Sequence, residues 1–190
     1  MVKYGLDYTR CRWILPLLLG LGVIFGIIAL VGWGWLESVT YPRRHQASLW
    51  HSCIKYDDER GWECDSLMKY PWGKAAAGTF LVGYTILIIC FALAIIAFAI
   101  NTLRFNFIRG IGGLLFVAAT FSIMGLVIYP VKFTSTIKLE EDEICMFSWS
   151  YGFAWTTAIM EICLGFFFCC LPLYEDQILG NVKPFERYYY

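Results

Sequence analysis

Eight cysteines and two histidines are the residues of this chain best suited to bridging, metal binding or modification. Cys53 and Cys64 bracket the stretch "SLWHSCIKYDDERGWEC", with His45 and His51 close by. A disulfide there would close a small ring and contribute about 3 kcal/mol by limiting the unfolded chain. Two other states stay open: free thiols, or a zinc site from His45, His51, Cys53 and Cys64. The pattern H-x5-H-x-C-x10-C matches no common zinc spacing, so no metal is expected. Cys145 has no partner by spacing and fits either a free thiol or an intermolecular bridge. Cys11, Cys169 and Cys170 lie at the ends of apolar runs, where thiols are candidates for S-palmitoylation.

Glu161 is the one charged residue inside a long apolar run. An ionised carboxyl at the centre of a bilayer costs roughly 3 kcal/mol on insertion scales. Glu161 is therefore expected to face neighbouring helices, protonated or hydrogen-bonded, as an assembly contact or a switch. Thr85, Thr120 and Ser122 lie at similar depth if the helices run antiparallel. No Ser/His/Asp arrangement, HExxH, P-loop or GxGxxG is present, so neither catalysis nor a cofactor nor a small-molecule substrate is expected.

The elements that must position these groups are set by composition. Of 190 residues, 59% are hydrophobic and only 16% charged, against about a quarter charged in a soluble domain. Four runs are long enough to cross a bilayer at about 20 residues each: Trp13–Trp35, Ala75–Ile100, Gly110–Tyr129 and Tyr151–Leu171. Helix is the state that satisfies every backbone group in lipid. The first run exceeds the roughly 7–15 apolar residues of a signal-peptide core and lacks a small-x-small cleavage site, so it is expected to be retained. The expected fold is mainly α: one tetraspan domain over 1–190, with membrane lipids as its solvent. Gly22 and Gly26 form a GxxxG step that allows close helix packing, within the bundle or between copies. Gly78 with Gly83, and Gly110 with Gly113, read the same way. Trp13, Trp33, Trp35, Trp72, Tyr129, Trp149 and Tyr151 mark the span ends as an aromatic belt.

Net charge is zero and no basic stripe or nucleic-acid motif is present, so no nucleic-acid partner is expected. Sidedness is poorly set by charge. The termini and the short loop (101–109) carry Lys3, Arg10, Arg12, Arg104, Arg109, Lys183 and Arg187, and the larger loops (36–74 and 130–150) carry about as many. Disulfides persist on the oxidising side of a membrane, which puts the larger loops outside and both termini, with the tail 172–190, in the cytoplasm. Within those loops, Val131, Phe133, Ile137 and Leu139 alternate with polar residues and predict a strand. "SLWHSCIKY" is a looser strand candidate. A small extracellular antiparallel sheet, with the second loop adding a strand to the first, should cap the bundle.

"W-x14-S-L-W-x-x-C-x10-C", formed by Trp35, Leu49, Trp50, Cys53 and Cys64, resembles the first-loop signature of the claudin and peripheral myelin protein superfamily. The likeness extends along the chain through "CRWILPLLL", "IGGLL", "LVIYPVKFT" and "FFFCCLP", and within the superfamily it points to the apoptosis-effector branch. It implies a disulfide-tied extracellular sheet, cytoplasmic termini, and a plasma-membrane protein of epithelial cells that supports desmosome-type adhesion and promotes apoptosis. Its partners would be other junctional membrane proteins or a second copy. The chain departs from claudins at Ser48, where they place Gly, in lacking the Arg that follows the second Cys, and in ending "ERYYY". A claudin-like barrier or channel is the alternative, with an auxiliary subunit of another membrane protein as a third. Between 36 and 72, Arg43, Arg44, Lys55, Arg60 and Lys69 mix with Glu37, Asp57, Asp58, Glu59, Glu63 and Asp65, whereas selective pores use rings of one sign.

Overall fold

The structure is a computed structural model that describes residues 14–38, 44–55, 61–99, 105–136 and 145–180, with the backbone alone described at 105, 106, 136, 145 and from 171 onward. Four helices carry the apolar runs: α1 (Ile14–Val31), α2 (Pro71–Ala99), α3 (Phe105–Thr136) and α4 (Trp149–Gly180). Each contains a stretch long and apolar enough to cross a membrane. Their outward faces are as apolar as their inward ones, with Leu17, Ile88, Val117 and Phe166 pointing away from the bundle. A helix apolar all round is a bilayer helix rather than a surface helix of a soluble domain. α1 packs on α2, α2 on α3, α3 on α4 and α4 back on α1, closing a four-membered ring.

The helices differ in extent from the apolar runs. α1 stops at Val31, before the Gly32–Gly34 turn, instead of reaching Trp35. α2 starts at Pro71, a residue whose fixed φ and missing N–H suit a first helical position. α4 continues through "YEDQILG" to Gly180, so part of the segment assigned to the tail is helical. Glu175, Gln177 and Leu179 are good helix formers, and propensity carries the helix past the end of the apolar run.

Five short strands form one antiparallel sheet: β1 (Leu36–Ser38), β2 (Arg44–Ala47), β3 (His51–Lys55), β4 (Trp62–Ser66) and β5 (Cys145–Phe147), in the order β4-β3-β2-β1-β5. The first four come from the segment between α1 and α2 and the fifth from that between α3 and α4. Both loops therefore lie at the same end of the bundle. The second loop does add a strand to the first, through Leu36↔Phe147, Glu37↔Met146 and Ser38↔Cys145.

The strand expected over Val131–Leu139 is not there. Residues 131–136 are the last turns of α3, and 137–139 lie outside the described residues. Phe133 explains the outcome. As a helical residue it stands one turn beyond Tyr129, their rings stack at 5.6 Å, and both are fully buried. Thr134 also donates to Pro130 O at 2.9 Å along the helix. Packing at i, i+4 against the sheet outweighs the β propensity of Val, Phe and Thr, which measures fit to a surface rather than an intrinsic preference.

The core has two layers. The upper one joins the sheet's inner face to the tops of the helices through Trp35, Leu36, Leu49, Phe80, Tyr129 and Phe133. The lower one lies wholly among the helices around Leu19, Leu87, Leu115 and Phe168.

Candidate functional site

The sheet is seated on the bundle by polar tips of aromatic side chains. A helix leaves its last four carbonyls without intrahelical partners. At the end of α1, Ile28 O accepts from Gly32 N at 2.9 Å. Ala29 O accepts from the indole of Trp35 at 2.7 Å, and Leu30 O from the indole of Trp50 at 2.8 Å. The two tryptophans thus cap α1 from β1's approach and from the β2–β3 turn. Trp35 is fully buried, with Tyr129, Tyr151 and Phe80 packed edge-on against its ring at 4.9, 5.5 and 5.8 Å.

That placement corrects the aromatic-belt reading for three of its members. Trp35, Tyr129 and Tyr151 are buried core residues, whereas Trp33 and Trp149 do face outward. Trp72 is half-buried and packs on Tyr129 and Phe133. Trp13 lies outside the described residues.

The turn between β2 and β3 is Ser48–His51. The Ser48 hydroxyl accepts from His51 N at 2.9 Å and Trp50 N at 3.2 Å, as a side chain does when it stands in for a backbone turn. Tyr129 of α3 donates to Ser48 O at 2.9 Å, and Leu49 is buried beneath. Hence "SLW" is a tether: hydroxyl, aliphatic side chain and indole each fix the turn to the bundle. The looser strand candidate "SLWHSCIKY" divides accordingly into this turn and β3.

A second tie corrects a defect in α3. Pro130 has no N–H, so the carbonyl four residues back, Leu126 O, loses its helical donor. The Tyr151 hydroxyl of α4 donates to that carbonyl at 2.9 Å.

Cys53 and Cys64 are direct cross-strand partners in β3 and β4 and form a disulfide. The bond takes both sulfurs out of the four-residue zinc set, and the described residues contain no group of three metal-ligand side chains. His45 is instead a buried core histidine, its Nε2 2.6 Å from Ser52 Oγ and its ring beside Phe133. His51 stacks on Trp33 at 6.2 Å.

Pairing fixes which residues share a face. Leu36, Ala47, Ser52 and Asp65 lie across one row of the inner face; Met146, Glu37, Gln46, Cys53 and Cys64 lie across the neighbouring outer row. β4 overhangs the bundle and is exposed along most of its length. On its outer face Trp62 is half exposed, with Lys55 Nζ 6.0 Å from the ring centre. Beneath the overhang, Ile54, Glu63, Asp65, Leu67 and Tyr70 line an open cleft of about 450 Å³. A hydrogen bond from Lys69, reinforced by its charge, holds the Asp65 carboxyl below its ordinary range and raises the Lys69 ammonium. Both side chains are exposed, so this pair is a surface feature.

Within the bundle, Glu161 and Ser122 are buried and close enough to interact from α4 and α3, yet no hydrogen bond of ordinary geometry engages either side chain. Thr85 and Thr120 do not join them. Both face outward and bond back to Leu81 O at 2.7 Å and Phe116 O at 2.8 Å.

Gly22 and Gly26 are buried inside the same bundle, and the Tyr84 ring of α2 lies where a Cβ on Gly26 would stand. Gly83 serves a similar approach to Ser122, whereas Gly78, Gly110 and Gly113 meet nothing within 4 Å and are not packing glycines. Gly112 and Gly125 are the contact glycines of α3: Gly165 O of α4 lies 2.9 Å from where a Cβ on Gly112 would stand, and Ala76 O of α2 lies 2.8 Å from the same position on Gly125. Cys169 packs at the Gly112 seam, half-buried, while Cys170 is exposed. Cys11 and the Cys145 side chain lie outside the described residues.

Residues 14–168 match the sequence profile of the PMP-22/EMP/MP20/Claudin family. The chain belongs to that family. Four candidate spans and a disulfide-tied five-strand sheet are the fold of this member of a family of structural membrane tetraspans. A protein of the family from Danio rerio, "p53 apoptosis effector related to PMP-22", is 40% identical over 184 residues, covering 96% of each chain.

What sequence reasoning missed were the acceptors. The family signature marks Trp35 and Trp50 by spacing, but not that their indoles end α1. The pairing of Tyr151 with Leu126 was readable in part, since a proline inside a span announces an unsatisfied carbonyl one turn earlier.

Proposed function

We propose that this tetraspan is a non-catalytic plasma-membrane protein of epithelial cell junctions, supporting desmosome-type adhesion through its sheet. The sheet faces outside and both termini lie in the cytoplasm. The observation that carries the reading is the seat of the sheet. Trp35, Trp50 and Tyr129 lock it to the helices, while the disulfide holds β4 out beyond the bundle. Such a platform presents side chains at a fixed height and angle, which suits contact with neighbouring membrane proteins or with a second copy. Its outer face mixes Lys55, Trp62, Glu37 and Arg44, a surface for recognition rather than a filter of one sign.

A role in promoting apoptosis rests on the likeness to the Danio rerio effector. Exposed Cys170 is the cysteine of the 169–170 pair open to S-palmitoylation; Cys169 is engaged at the α3–α4 seam.

The deciding experiment is to express a tagged chain in a confluent epithelial sheet and compare its position with desmosomal and tight-junction markers. Coincidence with desmosomal markers, and weakened sheets on depletion, is expected. Tight-junction strands with altered ion permeability would replace this reading with a barrier or channel.

A further inference from the structure

Glu161 is completely enclosed, and both carboxyl oxygens are without partners. The groups facing it come from each neighbouring element. α1 between Ile14 and Val31 has no titratable side chain at all. α3 presents the Ser122 hydroxyl, itself buried and unpartnered, and has no titratable residue between Gly110 and Ile128. α2 offers the buried thiol of Cys90, 4.0 Å from Ile111 O, and Tyr84, whose hydroxyl is engaged with Val23 O at 3.1 Å. On α4 itself the Thr157 hydroxyl is turned back to Phe153 O. No cation is among these groups, so nothing compensates a negative charge.

We propose that Glu161 is a proton-binding site inside the bundle, and that its carboxylic acid latches α4 to α3 by donating to Ser122 Oγ. An enclosed carboxyl without a counter-charge is far more stable as the neutral acid. In that form it carries one O–H donor, and the nearby hydroxyl is an acceptor with no other partner. A small rotamer change in either side chain closes the bond and satisfies two buried groups at once. Release breaks the O–H bond, leaves the electron pair on the carboxylate and passes the proton to water drawn into the seam. Gly83 brings α2 against Ser122 on its other side, so three helices feel that change. α4 begins two residues after β5 ends, which transmits its seating to the edge of the sheet.

The test is infrared spectroscopy of the full chain in lipid nanodiscs, with isotope-labelled glutamate. At neutral pH the wild type should show a protonated carboxyl stretch that Glu161→Gln lacks. Ser122→Ala should shift that band, because the acid loses its acceptor. Thermal stability should fall toward alkaline pH in the wild type. Absence of the neutral-pH band would overturn the proton site, as would a wild-type stability indifferent to alkaline pH. A band unmoved in Ser122→Ala would overturn the latch, and that variant tests it even if Glu161→Gln fails to fold.

Discussion

At the scale of single residues, the seating of the sheet and the repair of α3 rest on polar atoms carried by otherwise apolar side chains. Trp35 is the clearest case: its ring fills the upper core and its one N–H ends α1. These two roles separate by substitution. Trp35→Phe keeps an aromatic ring but orphans Ala29 O, and an unsatisfied buried acceptor costs about 1–3 kcal/mol. Trp35→Ala adds a cavity, with a total nearer 3–5 kcal/mol. Thermal unfolding in detergent should rank wild type, Phe and Ala in that order; equal values for Phe and wild type would show that the indole bond contributes nothing. Tyr151→Phe should cost a comparable 1–3 kcal/mol, because Pro130 leaves Leu126 O with no helical donor to fall back on. The acceptors of Trp35, Trp50 and Tyr151 lie 6, 20 and 25 residues away, and of these only Leu126 O is announced locally, by Pro130. Composition and periodicity could place Trp35 and Tyr151 at span ends, and interfacial anchoring is the ordinary meaning of that position. Only the tertiary fold turns them inward.

At the scale of elements, the helices were legible because lipid imposes one solution on any long apolar run. The strands were legible only where the family signature lay. The alternation at Val131–Leu139 mimicked a strand because Phe133 is apolar in either period; its distance from Tyr129, not its neighbours, decides the matter. β3 and β4 depend on their disulfide, since a hairpin overhanging a bundle has little core of its own. Cys53→Ser should lower stability by about 3 kcal/mol and abolish the mobility shift between reduced and non-reduced gels. A shift that persists in this variant would point to another bridge. On the outer face of this hairpin Trp62 is about half exposed, with Lys55 Nζ 6.0 Å from its ring centre. Tryptophans at such positions dominate protein contacts when they are anchors. Trp62→Ala should therefore reduce adhesion in a sheet-dispersal assay while leaving thermal stability unchanged. Loss of both together would mark Trp62 as structural.

At the scale of the whole molecule, the sheet supplies a constraint that counting charges could not. β5 pairs with β1, so the two large loops share one end of the bundle whatever the distribution of Lys and Arg. Sidedness is then a single binary choice, and the disulfide favours the oxidising side. The sequence contains no N-x-S/T sequon, so any acceptor introduced reports on its own location. A sequon placed in the β3–β4 connection (56–60) should be glycosylated in cells, and so should one in the α3–β5 connection (137–144). One placed after Gly180 should not. Glycosylation of the tail, with neither loop modified, would invert the topology. It would also leave Cys53 and Cys64 bonded in a reducing compartment, where so small a hairpin would lose its main covalent support. Modification of only one loop would contradict the sheet itself, since β5 and β1 cannot pair across a membrane.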